Sequence, residues 1–172
     1  MSGRKTGEPV PDFNIRLLNG GSWSSRAPAA DKFTLLTIYR GMWCPHCKQQ
    51  LQELDGLVDD FKQRGVSIVA ASADTEDRAG QMAADYGLKN LVLGCEVPID
   101  SARAMGVFIS KRVKDIEMPL FCEPASLLID KNANLFAAWI ASCAFARTPP
   151  AGILTYVDFL ADHSDRPPRG SA

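Results

Sequence analysis

Histidine is almost missing from this chain, with only His46 and His163 among 172 residues. A structural zinc site takes about four ligands, and the remaining thiols are too scattered to complete one, so no metal is expected. Charge of one sign is also lacking: 19 basic and 20 acidic side chains leave a formal net charge of −1. That excludes the basic footprint of a nucleic-acid or anionic-membrane partner. No apolar run approaches the length of a membrane-spanning helix. The opening Met1-Ser2-Gly3-Arg4-Lys5-Thr6-Gly7 has no apolar core of the kind a signal peptide needs, so a cytoplasmic, thiol-reducing location is expected. Five cysteines are an odd number, which rules out a complete set of disulfides within one chain. Repeats and linker-like stretches are absent, and nothing implies an organic cofactor. A content of 46% hydrophobic and 23% charged residues fits one ordinary globular domain with a real core.

What is present is a concentrated chemical signal at Tyr39-Arg40-Gly41-Met42-Trp43-Cys44-Pro45-His46-Cys47. The preceding run Phe33-Thr34-Leu35-Leu36-Thr37-Ile38-Tyr39 is apolar and rich in β-branched residues, as a buried strand is. Downstream, Leu51, Leu54, Val58 and Phe61 recur at helical spacing. Two cysteines three apart therefore fall on a strand-to-helix turn, at the positive end of the helix dipole. That position favours the thiolate of Cys44, and Cys47 stands one turn away to release whatever Cys44 captures as an intramolecular disulfide.

Along the rest of the chain, Phe13–Leu18 and Ser22–Ser24 read as a hairpin around Asn19-Gly20-Gly21. The first helix is expected from Cys44 to Arg64, with Pro45 in its first turn and Gly65 as its stop. Val66–Ser72 reads as a strand, Asp74–Tyr86 as a helix closed by Gly87, and Leu88–Gly94 as a third strand. Asp100–Met105 suggests a short helix, whereas Lys111-Arg112-Val113-Lys114 fits no pattern. Ser126–Asp130 and Leu135–Ile140 form a second hairpin, and Pro150–Ala161 a closing helix. Residues 1–7 and 163–172 are expected to be flexible tails around one domain spanning 8–162. This order implies a parallel centre with antiparallel edges.

Trp43-Cys44-Pro45-His46-Cys47 behind a strand resembles the active site of thioredoxin-fold proteins. Gly7-Glu8-Pro9-Val10-Pro11-Asp12-Phe13 resembles the opening of their peroxiredoxin-like branch, the redoxin or AhpC/TSA group. The resemblance runs over about residues 7–160. It implies an α/β, thioredoxin-like three-layer fold with a central mixed sheet and an N-terminal β-hairpin. It also implies a thiol-dependent oxidoreductase with Cys44 as nucleophile, the more exposed of the pair, and Cys47 as its resolving partner. Partners would be a protein or small-molecule disulfide or a hydroperoxide, together with a thiol electron donor, and a homodimer is compatible with such a frame.

Other residues carry two readings each. His46 either stabilises the Cys44 thiolate or simply faces solvent. Trp43 either lids the motif or fills the core. Pro124 stands where the resemblance implies a cis-proline beside the active site; the plainer reading is a trans proline opening a strand. Cys122, two residues earlier, is either an alternative resolving thiol or a small buried residue, and Cys95 and Cys143 read as core. Arg40 and Arg147 are cations that could reach Cys44, against the commoner role of solvated surface groups. Glu53, Asp55, Asp59 and Asp60 read as the wet face of the helix.

The resemblance also divides two chemistries. Peroxiredoxins carry Pro-x-x-x-Thr-x-x-Cys; counting back from Cys44, the Thr position holds Gly41 and the Pro position holds Thr37. The arginine those proteins use falls on Pro124. Thiol–disulfide exchange is therefore the leading expectation and a thiol peroxidase the alternative. A redox-inactive binding module is the third possibility.

Overall fold

The computed structural model describes residues 5–27 and 31–172. Residues 1–4 of the expected N-terminal tail lie outside the described residues. The chain opens with β1 (Asn14–Leu17) and β2 (Ser22–Ser24), the expected hairpin, with Ile15 facing Trp23. The central strand β3 (Phe33–Ile38) then leads to α1 (Pro45–Gly56) and α2 (Val58–Gln63). The single helix expected to Arg64 is thus two helices. The break falls at Gly56-Leu57, where a poor helix former precedes a residue with ψ of 3°.

Next come β4 (Val66–Ala71), α3 (Glu76–Tyr86) and β5 (Val92–Cys95). Gly87 closes α3 in the left-handed conformation, as expected. The third strand begins at Val92 rather than Leu88. The reason is Asp55, whose Oδ1 accepts the backbone N–H groups of Lys89, Asn90 and Leu91 at 2.8–3.0 Å and holds that stretch as a loop. Asp55 is therefore no idle member of a wet helix face. After α4 (Ile99–Ala104), two three-residue strands, β6 (Ile109–Lys111) and β7 (Leu120–Cys122), form a small separate sheet that the sequence did not announce. The second hairpin, β8 (Ala125–Asp130) and β9 (Leu135–Ile140), and the closing helix α5 (Pro150–Asp162) follow as expected.

The main sheet has the order β2-β1-β5-β4-β3-β8-β9. β3 pairs in parallel with β4, and β4 with β5, while β8, β9 and β1 are antiparallel to their neighbours. Both faces are covered, which is why β3, β4 and β8 read as nearly unbroken apolar runs. On one face Leu36, Ile38, Leu127 and Ile129 pack with Phe13, Ala102 and Met105. On the other, Leu35, Tyr39, Ile68 and Leu128 pack with Leu51 and Leu54 of α1, Met82 of α3 and Val157 of α5. This is the three-layer arrangement, and it sets Cys44 just past the carboxyl end of a central strand.

The C-terminal residues lie against the start of the chain, where the Thr6 hydroxyl donates to the Arg169 carbonyl at 2.7 Å. Among the described residues, no helix is long and apolar enough to cross a membrane.

One contact ties the N-terminal hairpin to the sheet through an absent side chain. A Cβ on Gly94 would stand 2.4 Å from Ile15 Cγ2 and 3.2 Å from the Arg16 carbonyl oxygen. Gly94→Ala should therefore force β1 off β5 and lower stability by about 1–3 kcal/mol. Urea unfolding checks this, and an unchanged midpoint would show that the hairpin is not seated on β5.

Candidate active site

Cys44 is the N-cap of α1, Pro45 occupies its first helical position, and Cys47 ends its first turn. The Cys44 carbonyl accepts the N–H groups of Cys47 and Lys48 at 3.0 and 3.2 Å. The loop before Cys44 is pinned on several sides. The Met42 N–H donates to Asp74 Oδ2 at 2.8 Å, and the Tyr86 hydroxyl donates to the Met42 carbonyl at 2.7 Å. Asp74 is itself fully buried and is met by Arg78 Nε at 2.9 Å. Gly41, at φ 152°, lies under the Trp43 ring, whose nearest carbon would be 2.1 Å from an added Cβ. The peroxiredoxin Thr position thus holds a glycine because an indole occupies the space a side chain would need.

Both sulfurs are buried, Cys44 at 1% exposure and Cys47 at 0%. Cys44, expected to be the more exposed of the pair, is closed off almost as fully as Cys47, and one side chain lies against both sulfurs. Arg147 Nη2 lies 3.4 Å from Cys44 Sγ and 3.3 Å from Cys47 Sγ. Arg147 comes from the irregular segment 141–149 between β9 and α5. Its Nη1 donates to Gln50 Oε1 at 2.8 Å and its Nε to the Ala144 carbonyl at 2.8 Å. Two cavities, of about 210 and 310 Å³, flank this segment, and Gln50, Ala146, Arg147 and Thr148 line both.

The electrostatics separate the two thiols. Cys44 falls from the ordinary 9.0 to about 5, chiefly because the Cys47 thiol hydrogen-bonds its thiolate. The Cys47 backbone N–H and the Arg147 charge add to this, and burial opposes it. Cys47 is pushed well up, first by burial and then by the neighbouring Cys44. One sulfur is thus held as the anion and the other as its proton donor. The Arg40 backbone N–H, 3.4 Å from Cys47 Sγ, completes the cradle.

The remaining sequence candidates fall at graded distances from the sulfurs. The Arg40 guanidinium turns away to Glu123, 3.1 Å off, and stacks over Phe121. Trp43 is half-buried and meets Phe121 edge-on at 5.3 Å. His46 is half-buried with its ring against Phe145 at 4.5 Å, so the cation in contact with the sulfurs is Arg147. Pro124 directly precedes β8 and lines the smaller cavity with Arg147, but no peptide bond among the described residues is cis, so the cis-proline expectation is corrected. Cys122 is buried in β7, where desolvation pushes its thiol up to about 12, and among the described residues no hydrogen bond joins it to Cys44 or Cys47. Cys95 is core, whereas Cys143 is exposed on the 141–149 segment, contrary to expectation. Among the described residues, no cluster of three or more His, Cys, Asp or Glu could hold a metal ion.

Sequence reasoning missed Asp74, Tyr86, Phe145 and Gln50. Only Gln50 left a signal. It shares the buried stripe of α1 with Cys47, Leu51 and Leu54, and a lone amide among them needs a buried partner.

The AhpC/TSA family model matches residues 6–138. This chain belongs to the AhpC/TSA family. Relatives include the thiol-disulfide oxidoreductase ResA of Bacillus thuringiensis subsp. konkukian, 27% identical over 129 residues, covering 75% of this chain and 66% of that protein. ResA of Oceanobacillus iheyensis is 30% identical over 88 residues, 49% of this chain and 45% of the relative. Mouse protein disulfide-isomerase A4 is 24% identical over 75% of this chain, which spans only 20% of that protein. Among solved structures, a mutant of peroxiredoxin 6 of Arenicola marina superposes with a TM-score of 0.76 at 20% identity, over 95% of this chain and 76% of that one. Reduced Prx3 of Vibrio vulnificus in complex with hydrogen peroxide gives 0.76 at 16% identity, over 90% and 99%. These superpositions bear out the thioredoxin-like fold expected from the sequence.

The thiolate shift has a measurable consequence. Alkylation of Cys44 by iodoacetamide should follow a pH midpoint near 5 in the native protein. In Arg147→Met the midpoint should rise by about 1–3 units, since an adjacent opposite charge is lost. The folded state holds this proton less tightly than the unfolded chain does. The reduced protein should therefore gain stability as pH rises from about 5 toward 9, and lose it as pH falls through 5. A native midpoint near 9 would remove the thiolate from the site.

Proposed function

We propose that this chain is a thiol–disulfide oxidoreductase that works through the Cys44–Cys47 pair. The observation that carries the reading is the split between an anionic Cys44 and a protonated Cys47 beneath one shared guanidinium. The ResA relatives support the same class.

The chemistry follows from that geometry. Cys44 S⁻ attacks one sulfur of a substrate disulfide, forming a mixed disulfide and expelling the other sulfur as a thiolate, which takes a proton. Forming that bond removes the negative charge of Cys44, one of the causes that held Cys47 protonated. Arg147 Nη2, already 3.3 Å from Cys47 Sγ, can then stabilise the second thiolate. Cys47 S⁻ attacks Cys44 Sγ, closes the intramolecular disulfide and releases the substrate as a second thiol. Two electrons pass to the substrate together with two protons, one from Cys47 and one from solvent, and an external dithiol returns the electrons. Because Arg147 covers the sulfurs, it must swing aside before a substrate sulfur can reach Cys44. The irregular segment that carries it, with cavities on both flanks, gives it room to do so.

A second reading, a thiol peroxidase, draws support from Arg147 itself, a guanidinium beside the reactive sulfur where the sequence left the arginine position empty. There Cys44 S⁻ would attack a peroxide oxygen, the O–O bond would break with loss of water or alcohol, and Cys47 would condense with the sulfenic acid, releasing water.

Insulin-disulfide reduction with dithiothreitol tests the first reading. Cys44→Ser should abolish turnover, and Cys47→Ser should accumulate a mixed disulfide at Cys44. Failure of Cys47→Ser to trap anything would count against exchange. Stopped-flow mixing with hydrogen peroxide should give slow thiolate oxidation; a rate typical of an efficient peroxidase would put the second reading first.

A further inference from the structure

Gln50 is the one uncharged polar side chain buried on α1, at 8% exposure, and it stands one turn beyond Cys47. Its Oε1 accepts Arg147 Nη1 at 2.8 Å, while the other terminal nitrogen of the same guanidinium spans the two sulfurs. A planar fork held at one prong has its other prong fixed in direction. With Nε tied to the Ala144 carbonyl, the guanidinium has little freedom left. The identity of the acceptor also matters. A carboxylate here would pair with Arg147 and neutralise it a few ångströms from the sulfurs. An amide oxygen orients the cation and leaves its full charge to them.

We propose that Gln50 is a positioning residue for thiol–disulfide exchange: its amide aims Arg147 at Cys44 and Cys47 without discharging it. The role rests on the reading of Cys44 as the nucleophilic thiolate. It acts only through Arg147, because no hydrogen bond joins Gln50 to either sulfur among the described residues. Gln50 also lines both cavities, so it can recapture the guanidinium after Arg147 has swung aside for substrate.

The test is the pH profile of Cys44 alkylation in the full-length reduced protein. Gln50→Met removes the acceptor at similar volume, and Gln50→Glu keeps the shape but adds the neutralising charge. Both should raise the midpoint by at least about one unit, a tenfold loss of thiolate below the midpoint. A less stable thiolate favours the disulfide, so the potential should drop by ~30 mV for each tenfold change in the exchange equilibrium. In an Arg147→Met background, Gln50→Met should leave the midpoint where Arg147→Met alone puts it. A folded Gln50→Met with the native midpoint overturns the proposal, and so does a full shift that persists without Arg147. Should Gln50→Met fail to fold, an unshifted Gln50→Glu overturns it equally. A native midpoint near 9 would instead remove the functional reading and leave nothing for Gln50 to tune.

Discussion

The guanidinium of Arg147, shared between two sulfurs at the start of a helix, is the interaction around which the functional end of this protein is arranged. A thiolate buried at 1% exposure is costly to keep charged unless several donors meet it at once. Here those donors are the Cys47 thiol, the Cys47 backbone N–H and Arg147, with the helix N-terminus behind them. One cation within reach of both sulfurs lets negative charge pass from Cys44 to Cys47 during a reaction without leaving either anion unpartnered. The same cation lies against both sulfurs, so in the proposed exchange activation and access would fall to one side chain.

The scaffold holds this arrangement from two directions. On one side, buried Asp74 and half-buried Tyr86 fix the backbone of Met42, and the Trp43 ring on Gly41 sets the turn that brings Cys44 to the helix. On the other, the 141–149 segment delivers Arg147 across α1, where Gln50 receives it. Asp74 and Gln50 spend buried polar groups on positioning, where an apolar core alone would be simpler to build. Their placement at this end of the sheet marks it as the part of the molecule where geometry matters most. The exposed Phe145 against His46 marks the outer margin of the same region.

Family membership and local chemistry point in complementary directions. The frame is that of peroxiredoxin-like proteins, as the AhpC/TSA match and the superpositions show. The motif on that frame is a pair of cysteines in one helical turn, with glycine in place of the peroxiredoxin threonine and proline in place of its arginine. Arg147 supplies a guanidinium from a different part of the chain, so the site recovers a cation by tertiary packing.

The sequence alone determined the strands of the main sheet, most helices and the Cys44–Cys47 pair, because these follow from local rules. Apolar runs must be buried, 3.6-residue periodicity forms a helix face, and a proline after Cys44 suits a first turn. It could not determine the break at Gly56-Leu57, the loop that Asp55 holds, or the short β6–β7 sheet, where three-residue arms are too brief to show a period. Nor could it choose between Arg40 and Arg147. Arg40 is near in sequence yet turns to Glu123, while Arg147 lies 103 residues from Cys44 and reaches it. Which cation meets a thiolate depends on where a loop crosses a helix, and that is decided only when the two faces of the sheet are packed.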